Sequence, residues 1–170
     1  MSVVAPDLIS RFETAGWYPG RRIEVDPAVP WQHPAHRILG ELGRIQLPRL
    51  YGDYEVCEID FQYLPFKEDR ILRWEEALGV QLIGIAELHN AHGEMLLSDS
   101  GHVFGNSYIH PAFWYDGRTL DEAVRNIMAG GQSRPMLLDD EASVTLYGRT
   151  YTRDDPEALT QESLELKRQV

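Results

Sequence analysis

The cysteine, histidine and acidic residues of this chain rarely occur at the spacings that a catalytic or metal-binding centre requires. The single cysteine, Cys57, lies in an alternating segment, where a buried thiol usually behaves as a small hydrophobic side chain. His89 and His92 could hold one edge of a metal site, but no third ligand has a spacing that completes it, and polar turns often carry histidine. Asp99–Gly101 resembles the start of a calcium loop without its remaining ligands, so a β-turn is favoured. We therefore expect no catalytic residue, no metal site and no cofactor.

The charge is distributed unevenly along the chain. There are 27 acidic and 16 basic side chains, which gives a formal net charge of −11. Residues 1–52 contain five acids and six arginines, a net charge of +1, so residues 53–170 carry −12. A field of this sign repels nucleic acid and anionic membranes and attracts basic partners. The same acidity also keeps a protein soluble, and composition alone favours neither use.

Length and composition favour one globular domain in the cytoplasm. Hydrophobic residues make up 43% of the 170 residues, enough for an ordinary core, and no apolar run approaches the ~20 residues that span a bilayer. The N-terminus lacks the basic and long apolar regions of a signal peptide, and one cysteine excludes an internal disulfide. We expect a soluble protein that is a monomer or a weak homodimer.

The hydrophobic pattern predicts helices first, then a meander, then a further helix. Helices are predicted at 6–16, 33–43, 67–79 and 119–131, with a possible last one at 154–169. Strands are predicted at 54–61, 80–88, 94–98, 102–106 and 143–152. Thr119 and Glu122 have the spacing of a capping box at the start of one helix. This order predicts a single α+β domain with a mainly antiparallel (mixed) twisted sheet, a central meander and helices packed on it.

Four short motifs occur in an order that resembles a known family. The first is AGWYPGRRIEVD (residues 15–26), in which a helix ends in Ala-Gly-Trp and Gly-Arg follows. The others are HPAHRILGELGRI (33–45), EEALGVQLIGIAELHNAHGEMLLSDSGHVF (75–104) and TLDEAVRNIMAG (119–130). Together they resemble the third subgroup of the SUKH superfamily, also called Smi/Knr-like. The resemblance implies a Smi/Knr-like immunity domain over residues 1–131, with 132–170 as a C-terminal extension that packs on it or trails from it.

The resemblance implies a structural role for the signature residues. These are Gly16, Trp17, Gly20, Arg21, Gly84, Asp99 and Gly101. Gly16 can adopt the left-handed conformation that ends a helix. Trp17 would then anchor the first helix on the sheet, and Arg21 would bond backbone carbonyls or a nearby acid. A direct contact of this segment with a partner is the alternative.

Many bacterial members of this family are immunity proteins of polymorphic toxin systems. The resemblance therefore implies a protein that binds one cognate toxin and neutralises it stoichiometrically, without catalysis. Such toxins are often nucleases or nucleic-acid deaminases with basic clefts, onto which an acidic inhibitor would be steered. The expected partner is thus the toxin domain, and neither nucleic acid nor membrane. Two alternatives stay open: a cytoplasmic regulator or scaffold of the same fold, and a hydrolase or metal enzyme that uses His36, His89 or His92.

Two segments combine carboxylates with aromatic side chains, as charged binding hot spots do. The first contains Tyr51, Asp53, Tyr54, Glu55, Glu58 and Asp60. Its alternative is an edge strand whose charges prevent aggregation. The second is a predicted loop at 106–117, which contains Trp114, Tyr115 and Asp116. Its aromatic side chains could instead fold back onto the core.

Overall fold

One long antiparallel sheet organises the molecule. The structure is a computed structural model that describes residues 3–164. Within that range the helices are Ile9–Thr14 (α1), Pro34–Leu42 (α2), Asp69–Leu78 (α3) and Leu120–Ala129 (α4). The strands are Gln46–Tyr51 (β1), Tyr54–Leu64 (β2), Leu82–Leu88 (β3), Gly93–Ser98 (β4), Val103–Ser107 (β5), Phe113–Gly117 (β6), Arg134–Leu137 (β7), Ser143–Leu146 (β8), Arg149–Thr152 (β9) and Leu159–Thr160 (β10).

The sheet follows the chain from strand to strand. β1 to β7 pair in order and antiparallel, and β10 adds to β7 in the parallel direction. β8 and β9 form a separate hairpin. The prediction of an α+β domain with a mainly antiparallel sheet and a central meander is confirmed. No helix within residues 3–164 is long and apolar enough to cross a membrane.

Both faces of the sheet are covered, which explains why nearly every residue of its central strands is buried. On one face α1, α2, α4 and the β8–β9 hairpin share a buried cluster that includes Phe12, Leu39 and Val124. On the other face α3 contributes a second cluster, in which the Trp74 ring stacks on Phe113 with the centroids 4.9 Å apart. Every residue of β4 and β5 is buried as a result.

A buried arginine ties the segment after α1 to the end of α2. Gly16 has φ +93°, a conformation that favours glycine, and the chain then places Trp17 in the core. The buried Arg21 guanidinium donates hydrogen bonds to the carbonyl oxygens of Glu41, at 2.6 Å, and Gly43, at 2.8 Å. Carbonyls at a helix C-terminus lack intrahelical partners, and a cation is favourable there. Arg21 thus makes the bonds to backbone carbonyls that its position in the signature suggests.

The sequence pattern does not predict β1, β6, β7 or β10. Pro48 in β1 and Pro135 in β7 argue against strands, yet Pro48 lies on an edge strand at an irregularity in the pairing, where a proline is tolerated. The predicted loop at 106–117 is wrong over its second half, because Phe113–Gly117 pairs with strands on both sides. β5 precedes β6 by only a short loop, whereas β7 follows it after the whole of α4, so the pairing on that side could not be inferred from local turn residues.

The C-terminal segment also differs from its prediction. The strand predicted at 143–152 is a hairpin, because Tyr147 and Gly148 both have positive φ and reverse the chain between β8 and β9. The helix predicted at 154–169 is wrong for 154–164, where the chain turns and Leu159–Thr160 pairs with β7. The remainder of that prediction lies outside the described residues.

Replacing Arg21 with alanine is expected to lower the free energy of unfolding by about 2–4 kcal/mol, because two carbonyls at the end of α2 lose a buried charged donor. Urea denaturation followed by tryptophan fluorescence measures the change. Arg11→Ala is the matched control, since Arg11 is exposed on α1, and it should cost less than about 0.5 kcal/mol. Equal losses in the two variants would contradict the role assigned to Arg21.

Candidate partner-binding surface

The β1–β2 hairpin extends beyond the rest of the sheet. β3 ends at Leu88, which pairs with Ile59 of β2, whereas β2 begins earlier, at Tyr54. Beyond that point residues 48–51 pair only with residues 54–57. We call residues 48–57 the hairpin finger. Within residues 3–164 no further strand pairs with its outer part, so that part is open to contact with another molecule.

The finger exposes aromatic and acidic side chains together. Tyr54 is 79% exposed and Leu50 is 66% exposed. Asp53 and Glu55 lie beside them and are also exposed, and Tyr51 is nearly half exposed. Large apolar side chains next to carboxylates, at a position that projects from the protein, have the composition of a protein–protein interface.

A buried carboxylate holds the base of the finger. β1 pairs with Ile59 and then with Cys57, so Glu58 between them forms a β-bulge. The Glu58 side chain is fully buried, and its Oε1 lies 2.6 Å from Nδ1 of His89. Its Oε2 accepts a hydrogen bond of 2.7 Å from the Tyr51 hydroxyl. These two bonds connect the finger to the turn between β3 and β4.

Arg49 adds a positive charge to this base. Its Nη1 lies 3.7 Å from Oε1 of Glu58 and donates to the carbonyl oxygen of Ile127, near the end of α4, at 3.2 Å. Its guanidinium also lies 4.6 Å from the centre of the Tyr51 ring. Burial alone would raise the pKa of Glu58, but the bonds from His89 and Tyr51 and the Arg49 charge outweigh it and lower the pKa below its usual value. Glu58 is therefore ionised and fully paired at neutral pH.

The β3–β4 turn that presents His89 has an unusual backbone. His89, Asn90 and Ala91 have φ values of +53°, +56° and +63°. A left-handed conformation costs about 1–2 kcal/mol for each residue other than glycine. The amides of His89 and Asn90 donate to the carbonyl oxygens of Glu58 and Cys57 at 2.9 and 2.8 Å, which offsets part of this cost. Backbone strain of this kind persists where the surrounding structure holds it, and here it fixes His89 against Glu58.

The β5–β6 loop lies beside this turn and is held by α3. Arg70 of α3 donates to Oδ1 of Asn106 at 2.8 Å and lies within 3.4 Å of three carbonyl oxygens in residues 107–112. With its backbone held in this way, the loop exposes Tyr108 and Ile109. It therefore adds apolar surface beside the β3–β4 turn, where the amide of Tyr108 donates to the carbonyl oxygen of His92 at 3.0 Å.

A second buried carboxylate lies beneath that loop. Glu94 of β4 is buried, and its Oε1 accepts a hydrogen bond of 2.9 Å from the side-chain Nδ2 of Asn106. Burial raises the pKa of Glu94 to about 7, although the bond from Asn106 opposes the shift. Asn106 also accepts a hydrogen bond from Arg70, so Glu94 and Arg70 share one side-chain partner beneath the loop.

A pocket of about 350 Å³ lies between the β3–β4 turn, the β5–β6 loop and the turn of the β8–β9 hairpin. Its walls include His89, His92 and His110, the ring of Trp114, and Tyr147. The described residues that line it contain no Asp, Glu, Lys or Arg. Because His89 both lines the pocket and binds Glu58, the pocket and the base of the finger are adjacent.

The first predicted binding segment divides into three parts. Tyr51, Asp53, Tyr54 and Glu55 come together on the finger, with Glu58 buried beneath them. Asp60 lies further along β2, half-buried, and its Oδ2 accepts a hydrogen bond of 2.9 Å from Gln46. These four exposed residues of the finger are therefore distinct from the buried Glu58 that supports them and from Asp60, which lies outside the finger.

The second predicted binding segment lies inside the protein. Trp114 is 3% exposed, and its Nε1 donates to Oδ2 of the buried Asp116 at 3.0 Å. Asp116 also accepts a hydrogen bond from the Ser133 hydroxyl, and burial raises the pKa of Asp116 to about 6. Tyr115 is half-buried, with its hydroxyl 3.0 Å from Nδ1 of His102, and burial raises its pKa to about 12. The aromatic residues fold back onto the core, so Asp116 is buried and Trp114 presents only an edge of its ring, in the pocket described above.

The remaining signature residues lie at turns and close approaches away from the finger. Gly20 and Gly101 have φ values of +82° and +89°, and Asp99 lies in the β4–β5 turn. A Cβ added at Gly84 would lie 2.7 Å from Cβ of Leu64, so β2 and β3 approach too closely there for a side chain.

Sequence reasoning missed His89 and Tyr147 as parts of this surface. His89 was expected to be a solvated turn residue, but its partner Glu58 is 31 residues away in the chain, and no short-range pattern connects them. The tyrosine–glycine pair at 147–148 could have indicated a hairpin turn. Among the described residues, no group of three or more His, Cys, Asp or Glu side chains is placed to hold a metal ion.

Glu94→Gln is expected to change how stability depends on pH. The pKa of Glu94 is raised in the folded state, so the folded protein binds the proton more tightly than the unfolded chain does. The contribution of Glu94 protonation to the free energy of unfolding is fully present below about pH 4.5 and is lost as the pH rises through about 7. The wild type should therefore lose up to about 3 kcal/mol from this group between pH 5 and 8, and the variant should not.

Urea unfolding of both proteins at half-unit intervals of pH measures the difference. Glu55→Gln, which removes an exposed acid of the finger, is the control and should leave the pH profile unchanged. Parallel profiles for the wild type and Glu94→Gln would show that Glu94 does not titrate in this range.

One comparison with known proteins gave a match. The family model described as SUKH-3 immunity protein matches residues 5–130. No curated protein and no solved structure matches the chain significantly. The matched region contains α1 to α4 and β1 to β6, which include the finger, the β3–β4 turn and the β5–β6 loop. Because the match covers more than half of the chain, the protein belongs to the SUKH-3 immunity protein family.

Proposed function

We propose that the protein neutralises one cognate toxin in the cytoplasm by stoichiometric, non-catalytic binding, and that the hairpin finger enters the cleft of that toxin. One observation carries the proposal: a member of an immunity protein family projects a hairpin on which two exposed carboxylates lie among exposed aromatic and aliphatic side chains. Such a finger supplies both the charge that directs association and the apolar area that holds a complex together.

The charge of the finger supports a basic cleft as its target. Asp53 and Glu55 have no ion-pair partner among the described residues. By contrast, two acids of the C-terminal segment are paired. Oδ1 of Asp139 lies 3.5 Å from Nη1 of Arg153, and Oδ1 of Asp140 lies 2.6 Å from Nη2 of Arg73. Unpaired carboxylates keep their full attraction for a partner's arginines and lysines. Nucleases and nucleic-acid deaminases bind phosphate, so a toxin of either class fits this chemistry.

The base of the finger supports tight binding by holding its shape. The Glu58 carboxylate binds Tyr51 and His89 and lies beside Arg49, so the tip is ordered before it meets a partner. A preorganised surface loses less conformational entropy on association. We assign direct contact to Tyr51, Asp53, Tyr54 and Glu55, and a supporting role to Glu58. Asp60 and the β6 residues Trp114, Tyr115 and Asp116 lie outside the finger.

Asp53→Asn combined with Glu55→Gln is expected to weaken toxin binding by about 10- to 100-fold and to reduce its dependence on salt, because the finger loses its unpaired charge. Titration calorimetry at low and high salt measures both effects. The probe is an inactive variant of the C-terminal domain of the protein encoded by the adjacent gene. The wild type should bind it 1:1 with nanomolar affinity that falls as salt rises.

Glu24→Gln combined with Glu76→Gln is the matched control, because it removes the same charge from exposed positions outside the finger. It should change the affinity by less than about threefold. Absence of binding at both salt concentrations, with no rescue of cells that express the toxin domain, would overturn the proposed function. The protein would then be better explained as a regulator that binds a different cellular partner.

A further inference from the structure

The β8–β9 hairpin lies outside the family-matched region and is nevertheless fixed on the sheet. Val144 and Leu146 of β8 and Tyr151 of β9 are buried in the same cluster as α1, α2 and α4. Arg149 lies 4.5 Å from the centre of the Tyr151 ring and binds Asp155 at 2.6 Å. The position of the hairpin turn is therefore set by packing on the matched part of the chain.

The turn of this hairpin holds Tyr147 by both its backbone and its hydroxyl. Tyr147 and Gly148 have φ values of +53° and +74°, so the turn reverses the chain within two residues. The Tyr147 hydroxyl accepts a hydrogen bond of 3.2 Å from the amide of Ser133, whose own hydroxyl donates to the buried Asp116. The ring between these two fixed ends lines the pocket and is 47% exposed. A half-exposed aromatic ring that is held at both ends is suited to contact another protein.

The pocket has the size and lining for one large uncharged side chain. Its volume of about 350 Å³ is at the lower end of the range for ligand pockets. No charged side chain other than histidine is among the described residues that line it, so it offers no counter-ion to a lysine or arginine. Ile109 lines the pocket and is 56% exposed, which adds apolar surface beside it. An aromatic or aliphatic side chain is the occupant that this lining favours.

The pocket also adjoins the base of the finger, because His89 lines the pocket and contacts Glu58. A partner that binds the unpaired carboxylates of the finger would cover this pocket as well. We infer that the pocket receives one apolar or aromatic side chain of the cognate toxin, and that Tyr147 and Thr145, which line the pocket from the C-terminal segment, determine which toxin fits. The inference rests on the proposed function and adds to it a residue-level basis for specificity.

Thr145→Trp tests the inference by filling the pocket, and Tyr147→Ala tests it by removing one wall. Each is expected to weaken binding of the toxin domain by about 10- to 100-fold in calorimetry. Tyr147→Phe retains the ring and loses only the bond from Ser133, so it should bind within about threefold of the wild type. Thr152→Trp is the matched control, because Thr152 is exposed on the same hairpin and does not line the pocket. Urea unfolding of every variant separates lost binding from lost stability.

The outcomes distinguish the inference from the proposed function. Wild-type binding together with unchanged affinity of Thr145→Trp and Tyr147→Ala would overturn the inference and leave the proposed function intact. Equal weakening by Thr145→Trp and Thr152→Trp would also overturn it. Loss of self-association in Thr145→Trp by sedimentation velocity, with unchanged toxin binding, would assign the pocket to a contact between two copies of this chain. Absence of wild-type binding would overturn both proposals.

Discussion

The carboxylate of Glu58 is buried and must therefore be paired with donors or a positive charge. This requirement determines the structure at the end of the molecule where the candidate surface lies. The energetic cost of burying an unpaired charge is several kcal/mol, so the surrounding groups must supply donors or a positive charge. Tyr51 comes from β1, His89 from the β3–β4 turn, and Arg49 reaches the end of α4. One buried group therefore joins the finger, a strained turn and a helix. The finger can project without losing its shape because its base is held in this way.

In the rest of the sheet, the residues that stabilise the fold are different from those that are available to a partner. Helices cover both faces of β3 to β6, so these strands contribute almost no surface, and their residues pack into two clusters. Surface for a partner is left at the strand ends, where the β1–β2, β3–β4 and β5–β6 connections meet. These connections are tied to the core by Glu58 and Arg70, each through several hydrogen bonds or close polar contacts. A rigid sheet with anchored loops at one end is a common way to build a binding surface.

The C-terminal segment adds to this arrangement. β7 covers the edge of β6, β10 pairs with β7, and the β8–β9 hairpin contributes three buried side chains to the main core. The turn of that hairpin reaches the end of the sheet that carries the finger. The family-matched region and the segment beyond it therefore meet at one surface, and Tyr147 lies where they meet.

The sequence by itself determined the features that depend on neighbours a few residues apart. The apolar spacing of α2, α3 and α4, the glycines that end helices and the short apolar runs of the central strands are local, and the α+β class followed from their order. The signature segment predicted the roles of Gly16 and Arg21 for the same reason. The acidic and aromatic residues from Tyr51 to Glu55 were visible as a cluster because they are consecutive.

Only the tertiary structure decided which of those residues are exposed and what holds them. Glu58 looks like its acidic neighbours in sequence, but a bulge buries it against His89, 31 residues away. The segment that contains Trp114 and Asp116 has the sequence pattern of a loop, but it forms β6 between β5 and β7, and both side chains are buried. The pairing of β6 with β7, the burial of Glu58 against His89 and the position of Tyr147 beside the β3–β4 turn depend on contacts between residues that are distant along the chain. Periodicity carries no information about such contacts, because it reports only the face that a residue shares with its near neighbours.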